Sequence, residues 1–185
     1  MPTMSDARQR LLELFKERAF SFGRFKLASG GESSYYINSK KVLFNGEAIL
    51  LLGELICEST RDLEFQAIGG LEVGAIPMAA AAVLQYQQTG KNLEGFFVRK
   101  QAKGHGSQDL IEGRVNSGDR VVILDDVLTT GESVVKAIEA VESRAAQVLR
   151  VICIVDRLQG ARERLANYDF RPLFTVRDLG VETKV

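Results

Sequence analysis

The chain has 185 residues, 24 Lys plus Arg against 24 Asp plus Glu, and 45 % hydrophobic residues. This length buries a full core in one domain, residues 1–185, and the composition is that of an ordinary globular protein. Zero net charge speaks against a broad nucleic-acid surface, and the longest apolar run, Ala75 to Leu84, is too short to span a membrane and contains Pro77.

The two cysteines, Cys57 and Cys153, lie in apolar surroundings without metal-ligand spacing and read as buried, reduced thiols. The N-terminus has no apolar signal core. Ser5-Asp6 ahead of Leu11, Leu12, Leu14 and Phe15 predicts a capped amphipathic helix, and the expected location is the cytoplasm. Phe20 to Asn38, polar and glycine-bearing, reads as a hairpin or loop. Gly46 to Arg61 has helical spacing, with Ile49, Leu52 and Ile56 on one face. Phe65 to Ile68 predicts a short buried strand, Gly69 to Gly74 the turn after it, and Ala75 to Gln87 an apolar helix.

Gly95 to Val98 predicts a strand ending in Arg99-Lys100, and Gln101 to Gly113 a glycine-rich charged loop. Val121 to Leu124 is a strand of four apolar residues, three of them β-branched, followed by Asp125-Asp126. Ser133 to Arg144 is an amphipathic helix, Val148 to Val155 a strand ending in Asp156-Arg157, Gly160 to Tyr168 helical, and Leu173 to Val176 a last strand. Strands alternating with helices predict an α/β fold, a mainly parallel central sheet with helices on both faces. Right-handed crossovers place the strand-end loops along one edge.

Two segments on that edge carry chemistry. Asp125 and Asp126 suit vicinal hydroxyls if the strand has ended and both side chains reach the crevice. One of them capping the following turn is the plainer reading. Thr129, Thr130, Gly131 and Ser133 shift the balance, because a glycine-bearing turn and hydroxyls opening a helix form an anion nest. The second segment, Arg99 to Gly106, gathers Arg99, Lys100, Lys103 and the only histidine, His105, between glycines. A charge run is commonly a solvated face. Here it starts at a strand end beside the nest, and flanking glycines permit a lid that closes over a polyanion.

Together these segments resemble the type I phosphoribosyltransferases, and among them the orotate phosphoribosyltransferases. Asp125 to Ser133 is similar to that family's signature for 5-phosphoribosyl-1-diphosphate (PRPP). Arg99-Lys100-x-x-Lys103-x-His105-Gly106, with Leu110 to Gly113 at its end, is similar to the mobile catalytic loop. Phe25 to Gly30 and Ser34-Tyr35-Tyr36-Ile37 resemble the hood that holds orotate, and Val155-Asp156-Arg157 the segment for its carboxylate. The matches run in order from about residue 20 to 160.

The resemblance implies a type I phosphoribosyltransferase fold with a small hood from about residues 1–40, and transfer of phosphoribose from PRPP to orotate in pyrimidine synthesis. It implies that Val127, Leu128, Thr129, Thr130, Gly131, Glu132 and Ser133 hold the 5-phosphate, and that Asp125 and Asp126 hold the ribose hydroxyls. Lys26, Arg99, Lys100, Lys103 and His105 would surround the pyrophosphate, with Lys103, His105, Arg99, Asp125 and Asp126 carrying catalysis. Orotate would meet Lys26, Tyr35, Tyr36, Thr129 and Arg157, whose planar fork matches a carboxylate. Mg²⁺ is implied, held mainly through PRPP and water with no direct protein ligand. So is a homodimer in which the loop 99–113 of one subunit crosses to its neighbour's site. Nucleic acid and membrane are not expected partners.

Two departures stand out. The turn Gly70 to Gly74 lacks the lysine some branches carry, and Gln101 and Gly104 stand where acidic residues are common. Two other readings remain at this point: a transferase acting on a purine or uracil, and a PRPP-binding regulator of the same fold.

Overall fold

The computed structural model describes residues 3–26, 32–101 and 109–182. A capping box decides where the first helix starts. Asp6 donates its backbone N–H to the Thr3 hydroxyl, and the Thr3 N–H is accepted by the Asp6 carboxylate at 2.8 Å, so α1 runs Met4–Leu14. The cap is therefore Thr3, two residues ahead of the expected Ser5-Asp6. A π-helical turn, Phe15–Ala19, leads into β1 (Phe20–Lys26), which pairs antiparallel with β2 (Glu32–Ile37) as a separate two-stranded sheet. Two helices follow, α2 (Lys40–Leu43) and α3 (Gly46–Thr60), the latter capped by the Asn45 side chain on the Ala48 N–H.

The main sheet is built from β3 (Ala67–Leu71), β4 (Glu94–Val98), β5 (Ile111–Gly113), β6 (Arg120–Leu128), β7 (Gln147–Asp156) and β8 (Phe170–Thr175). Their order is β5-β4-β3-β6-β7-β8, all parallel except β5, which runs antiparallel to β4. The connecting helices are α4 (Ala75–Gln88), α5 (Glu132–Glu142) and α6 (Ala161–Arg164). One apolar cluster joins α1, α3 and α4 to Val122, Leu124 and Ile152, and a second joins α5 to Val121, Ile123 and Val151. The helices thus cover both faces, as expected of strands that are apolar throughout.

Several boundaries differ from the sequence expectation, each for a local reason. β3 takes in Gly69 and Gly70, placed in the turn from sequence. A Cβ on either would fall 2.0 Å from a carbonyl oxygen of a flanking strand, so their bareness permits the close approach. β5 is three residues long, too short to show an alternation, and had been read as loop. The helix expected over 160–168 is a single turn, and β8 begins at Phe170 rather than Leu173. Pro172 hid that strand, and the sheet edge is where a residue without an N–H is tolerated.

From β3 the chain moves outward to β4, and from β6 it moves the other way to β7 and β8. The sheet therefore reverses direction between β3 and β6. Pairing of β3 with β6 ends at Gly69↔Ile123, and beyond it the two chains diverge, β3 into the turn that ends at Gly74 and β6 on to Leu128. Ligands of open α/β sheets bind at such switch points.

Candidate active site

Asp125 and Asp126 stand beyond that last pair, buried and as interior residues of β6, which continues to Leu128. The condition for both side chains entering the crevice together, an ended strand, is not met. Their partners accordingly diverge. Asp125 accepts the Ser133 hydroxyl at 2.6 Å, from the first turn of α5, and the Asp126 N–H at 2.8 Å. Asp126 accepts from the Lys40 ammonium at 2.6 Å and from the buried Ser39 hydroxyl, at the entrance to α2.

The electrostatics divide the pair further. Burial first, and then the neighbouring Asp126 carboxylate, push Asp125 well above the ordinary carboxylate range. Burial pushes Asp126 the same way, but the hydrogen bonds from Lys40 and Ser39 outweigh it and hold this carboxyl low. The surroundings thus favour the protonated form of Asp125 and the ionised form of Asp126. Sequence reasoning missed Lys40 and Ser39, because nothing in Asn38-Ser39-Lys40-Lys41 sets two of its residues apart as partners of a strand 86 residues on.

After β6 the turn Thr129 to Gly131 leads into α5. Gly131 sits at φ +78°, a left-handed conformation that favours glycine, and no side chain caps the helix behind it. The first amides of α5 are thus left to a ligand. Val127 and Leu128 belong to the strand beside Val155 and Asp156, and Leu128 is buried, so the nest proper is Thr129 to Ser133. Glu132 points to an ion pair with Lys136 at 3.1 Å. A cleft of about 380 Å³ opens here, lined by Thr129, Thr130, Glu132, Ser133, Lys136 and Lys100. The expected neighbours Lys100 and the nest are brought together, and Lys136 is an unforeseen cation at their side.

The two described ends of the lid segment are tied to one another. Arg99 donates its N–H to the Leu110 carbonyl at 2.8 Å, just past the β4–β5 pairing of Val98 with Ile111. Lys100 donates its N–H to the Glu72 carboxylate at 2.8 Å, so the turn that lacks a lysine holds the lid base by an acceptor instead. Arg99 pairs with Glu112 at 3.4 Å, and its Nε is buried with no hydrogen-bond partner among the described residues. An unsatisfied guanidinium donor of this kind favours an incoming anion. Lys103 and His105 lie outside the described residues, as does the side chain of Lys26.

On the acceptor side, Arg157 donates to the Tyr35 hydroxyl at 3.0 Å and to Ser33 at 3.3 Å, with its guanidinium 4.6 Å from the centre of the Tyr35 ring. Tyr35 is buried and stacks on Phe20. Tyr36 is not brought to this group. It is about half exposed, its ring tilted against Phe25 at 5.4 Å, since neighbouring strand residues face opposite ways.

A larger cavity, about 670 Å³ around Arg61, Tyr86 and Lys91, lies at the opposite ends of the strands. Its glycine turn, at Gly90, follows the C-terminal end of α4 and opens no helix, and Lys91 is occupied by the Phe65 and Tyr86 rings and by Glu64 at 3.8 Å. Size alone does not make it the reaction site. Among the described residues, no group of three or more His, Cys, Asp or Glu side chains is arranged to hold a metal ion, and no helix is long and apolar enough to cross a membrane. Cys57 and Cys153 are free thiols, the second fully buried and the first only partly.

The family profile described as Phosphoribosyl transferase domain matches residues 41–175. An orotate phosphoribosyltransferase of Streptomyces coelicolor is 43 % identical over 162 residues, spanning 88 % of this chain and 89 % of the relative. The orotate phosphoribosyltransferase of Mycobacterium tuberculosis H37Rv, solved with Fe(III) dicitrate, superposes with a TM-score of 0.83 at 36 % identity, covering 95 % of this chain and 99 % of that one. The same enzyme solved with PRPP gives 0.79 at 32 % identity, with the same coverage. This chain belongs to the phosphoribosyltransferase family, in its orotate phosphoribosyltransferase branch.

Proposed function

We infer that the chain transfers the 5-phosphoribosyl group from PRPP to orotate, releasing pyrophosphate and forming orotidine 5′-monophosphate for pyrimidine synthesis. The observation that carries this reading is the juxtaposition at one sheet edge of the Asp125–Asp126 pair, the uncapped start of α5 and the Arg157–Tyr35 group. The amides from Thr129 to Ser133 bind the 5-phosphate, with the helix dipole favouring its charge. Asp126, ionised, accepts from a ribose hydroxyl and offsets the positive charge that grows at C1 as its bond to pyrophosphate breaks. Asp125, turned to the other face of β6, holds the Ser133 hydroxyl and so fixes the first turn of α5. Arg99 and Lys100, together with Lys26, Lys103 and His105, neutralise the departing pyrophosphate. Arg157 pairs with the orotate carboxylate, Tyr35 lies along the base, and Thr129 borders both substrates.

Mg²⁺ fits this site as an ion carried by PRPP. A hard cation of this kind would take its oxygen ligands mainly from the polyphosphate and from water. When bound, the ion neutralises phosphate charge. The proposed assembly is a cytoplasmic homodimer whose loop 99–113 closes over the neighbouring site. An apolar groove of about 290 Å³ supports it, formed by Ile76, Ala79 and Val83 of α4 with Phe97 beside β5.

Orotate consumption followed spectrophotometrically with PRPP and Mg²⁺, against hypoxanthine, adenine and uracil, tests the activity. Turnover of any competing base in preference to orotate refutes the acceptor. For the assembly, Lys103→Ala protein mixed with inactive Gly131→Val protein regains part of the wild-type rate. An absence of rescue while subunits demonstrably exchange rules out the shared site.

A further inference from the structure

The donor and acceptor halves of the site are linked by a short piece of chain that neither half explains. Ser39 and Lys40 follow directly on β2, the strand that carries Tyr35. Both donate to the same atom, Asp126 Oδ2, the Lys40 ammonium from 2.6 Å. Lys40 is about half exposed, whereas the carboxylate it reaches is almost fully buried. A surface cation bending inward to a buried acceptor gives up hydration, which a decorative surface pair does not require. On its other side Asp126 lies flat against the turn after β3: a Cβ at Gly74 would stand 2.4 to 2.7 Å from the carboxylate atoms. The carboxylate is therefore clamped between the Gly74 backbone and two donors that both take Oδ2; among the described residues no N–H or hydroxyl donates to Oδ1, and the Asp125 carboxyl is the other group within hydrogen-bonding reach.

We propose that Lys40 is a positioning residue of the transfer reaction, which with Ser39 fixes Asp126 by one oxygen so that the other meets a ribose hydroxyl of PRPP. This rests on the reading of Asp126 as a ribose contact. Because Lys40 sits at the end of the segment whose Tyr35 holds Arg157, the same piece of chain registers the donor's sugar against the acceptor's ring. The charged groups acting on Asp126 are Lys40 from α2 and Asp125 from its own strand, with the neutral Ser39 as the second donor. Removing the cation leaves Asp126 with one neutral hydroxyl donor beside the Asp125 carboxyl, and protonation of Asp126 then begins at a higher pH.

The test is a set of pH profiles of kcat/KM for PRPP in wild type, Lys40→Met, Lys40→Arg, Asp126→Asn and the Lys40→Met/Asp126→Asn double variant. Lys40→Met is expected to lose up to about 100-fold, the cost of a small misplacement of a reacting group, and to move the acid limb to higher pH. The KM for orotate stays near wild type, Lys40→Arg recovers most of the loss, and the double variant is no worse than Asp126→Asn alone. Losses that multiply in the double variant, or an unmoved acid limb in Lys40→Met, overturn the proposal. Wild-type kcat/KM in Asp126→Asn removes the ribose contact and the proposal together, while an impaired Asp126→Asn beside an unimpaired Lys40→Met removes only the proposal. Melting curves accompany each variant, and Lys40→Gln replaces Lys40→Met should the latter fail to fold.

Discussion

The sheet carries buried charge at both of its ends, and the two ends treat it in opposite ways. Near the start of β7, Arg150 is the largest fully buried side chain. All three of its nitrogens are bonded: Asp62 accepts from two of them at 2.7 and 2.9 Å, Asp169 accepts from Nε at 2.7 Å, and the Ser59 carbonyl accepts a further bond. At the far end Asp125 and Asp126 stand next to each other as two buried carboxyls, Arg99 has a buried nitrogen without a hydrogen-bond partner among the described residues, and α5 starts with no side-chain cap. A completed network fastens α3 to β7 and β8. An incomplete one is a debt that a polyanionic, hydroxyl-bearing substrate settles. Buried charge marks function here only where its hydrogen bonding is unfinished.

Substitutions separate the two ends. Asp126→Asn is expected to cost two to three orders of magnitude in kcat/KM for PRPP, the scale of losing one preorganised charge contact, with little change in Tm. A drop in Tm as large as the drop in activity would erase the distinction. Arg150→Leu is expected to do the reverse. Breaking a buried ion network lowers Tm by about 6–12 °C, while kcat/KM measured well below the transition stays within about twofold.

The smallest effect is in pH, and its sign differs between the ends. Asp125 is raised in the folded state, so its contribution is present below the unfolded carboxylate value of about 4 and is lost as pH rises through the higher folded value. Asp62, lowered by the Arg150 hydrogen bonds, contributes above about pH 4 and loses that contribution as pH falls. Thermal-shift series without ligand should therefore show Asp125→Asn flattening the decline toward alkaline pH and Asp62→Asn flattening the decline toward acid. A single variant that flattens both would mean the two ends are one coupled network.

The same contrast explains what was legible in the sequence. Val121 to Leu124, the acidic pair and the Thr-Thr-Gly turn are contiguous, so strand, ligand groups and helix start could be read from one stretch. Arg99, Lys100 and Arg157 were placed by the strands they end. The Arg150 network was invisible, because Asp62, Arg150 and Asp169 are far apart and each looks like an ordinary surface charge. Lys40 was missed for the same reason, although it touches the best-marked residue of the site. Tyr35 and Tyr36 were read as a unit when the pleat separates them. Local patterns disclose which groups a strand end presents, and pairings across the fold decide which of them are restrained.

The antiparallel pairing of β4 with β5 has a further consequence for how such an enzyme diversifies. Arg99 and Leu110 are hydrogen-bonded neighbours, so the residues between them leave and rejoin the sheet at a single point. The register of every other strand is independent of how many residues are inserted there, and the cost of closing a longer insert grows only with the logarithm of its length. Glu72 and Asp109 tether the two exits separately, to Lys100 and to Arg144. The segment is thus a cassette: its length and charge can be rewritten without disturbing the nest, the aspartate pair or the base pocket.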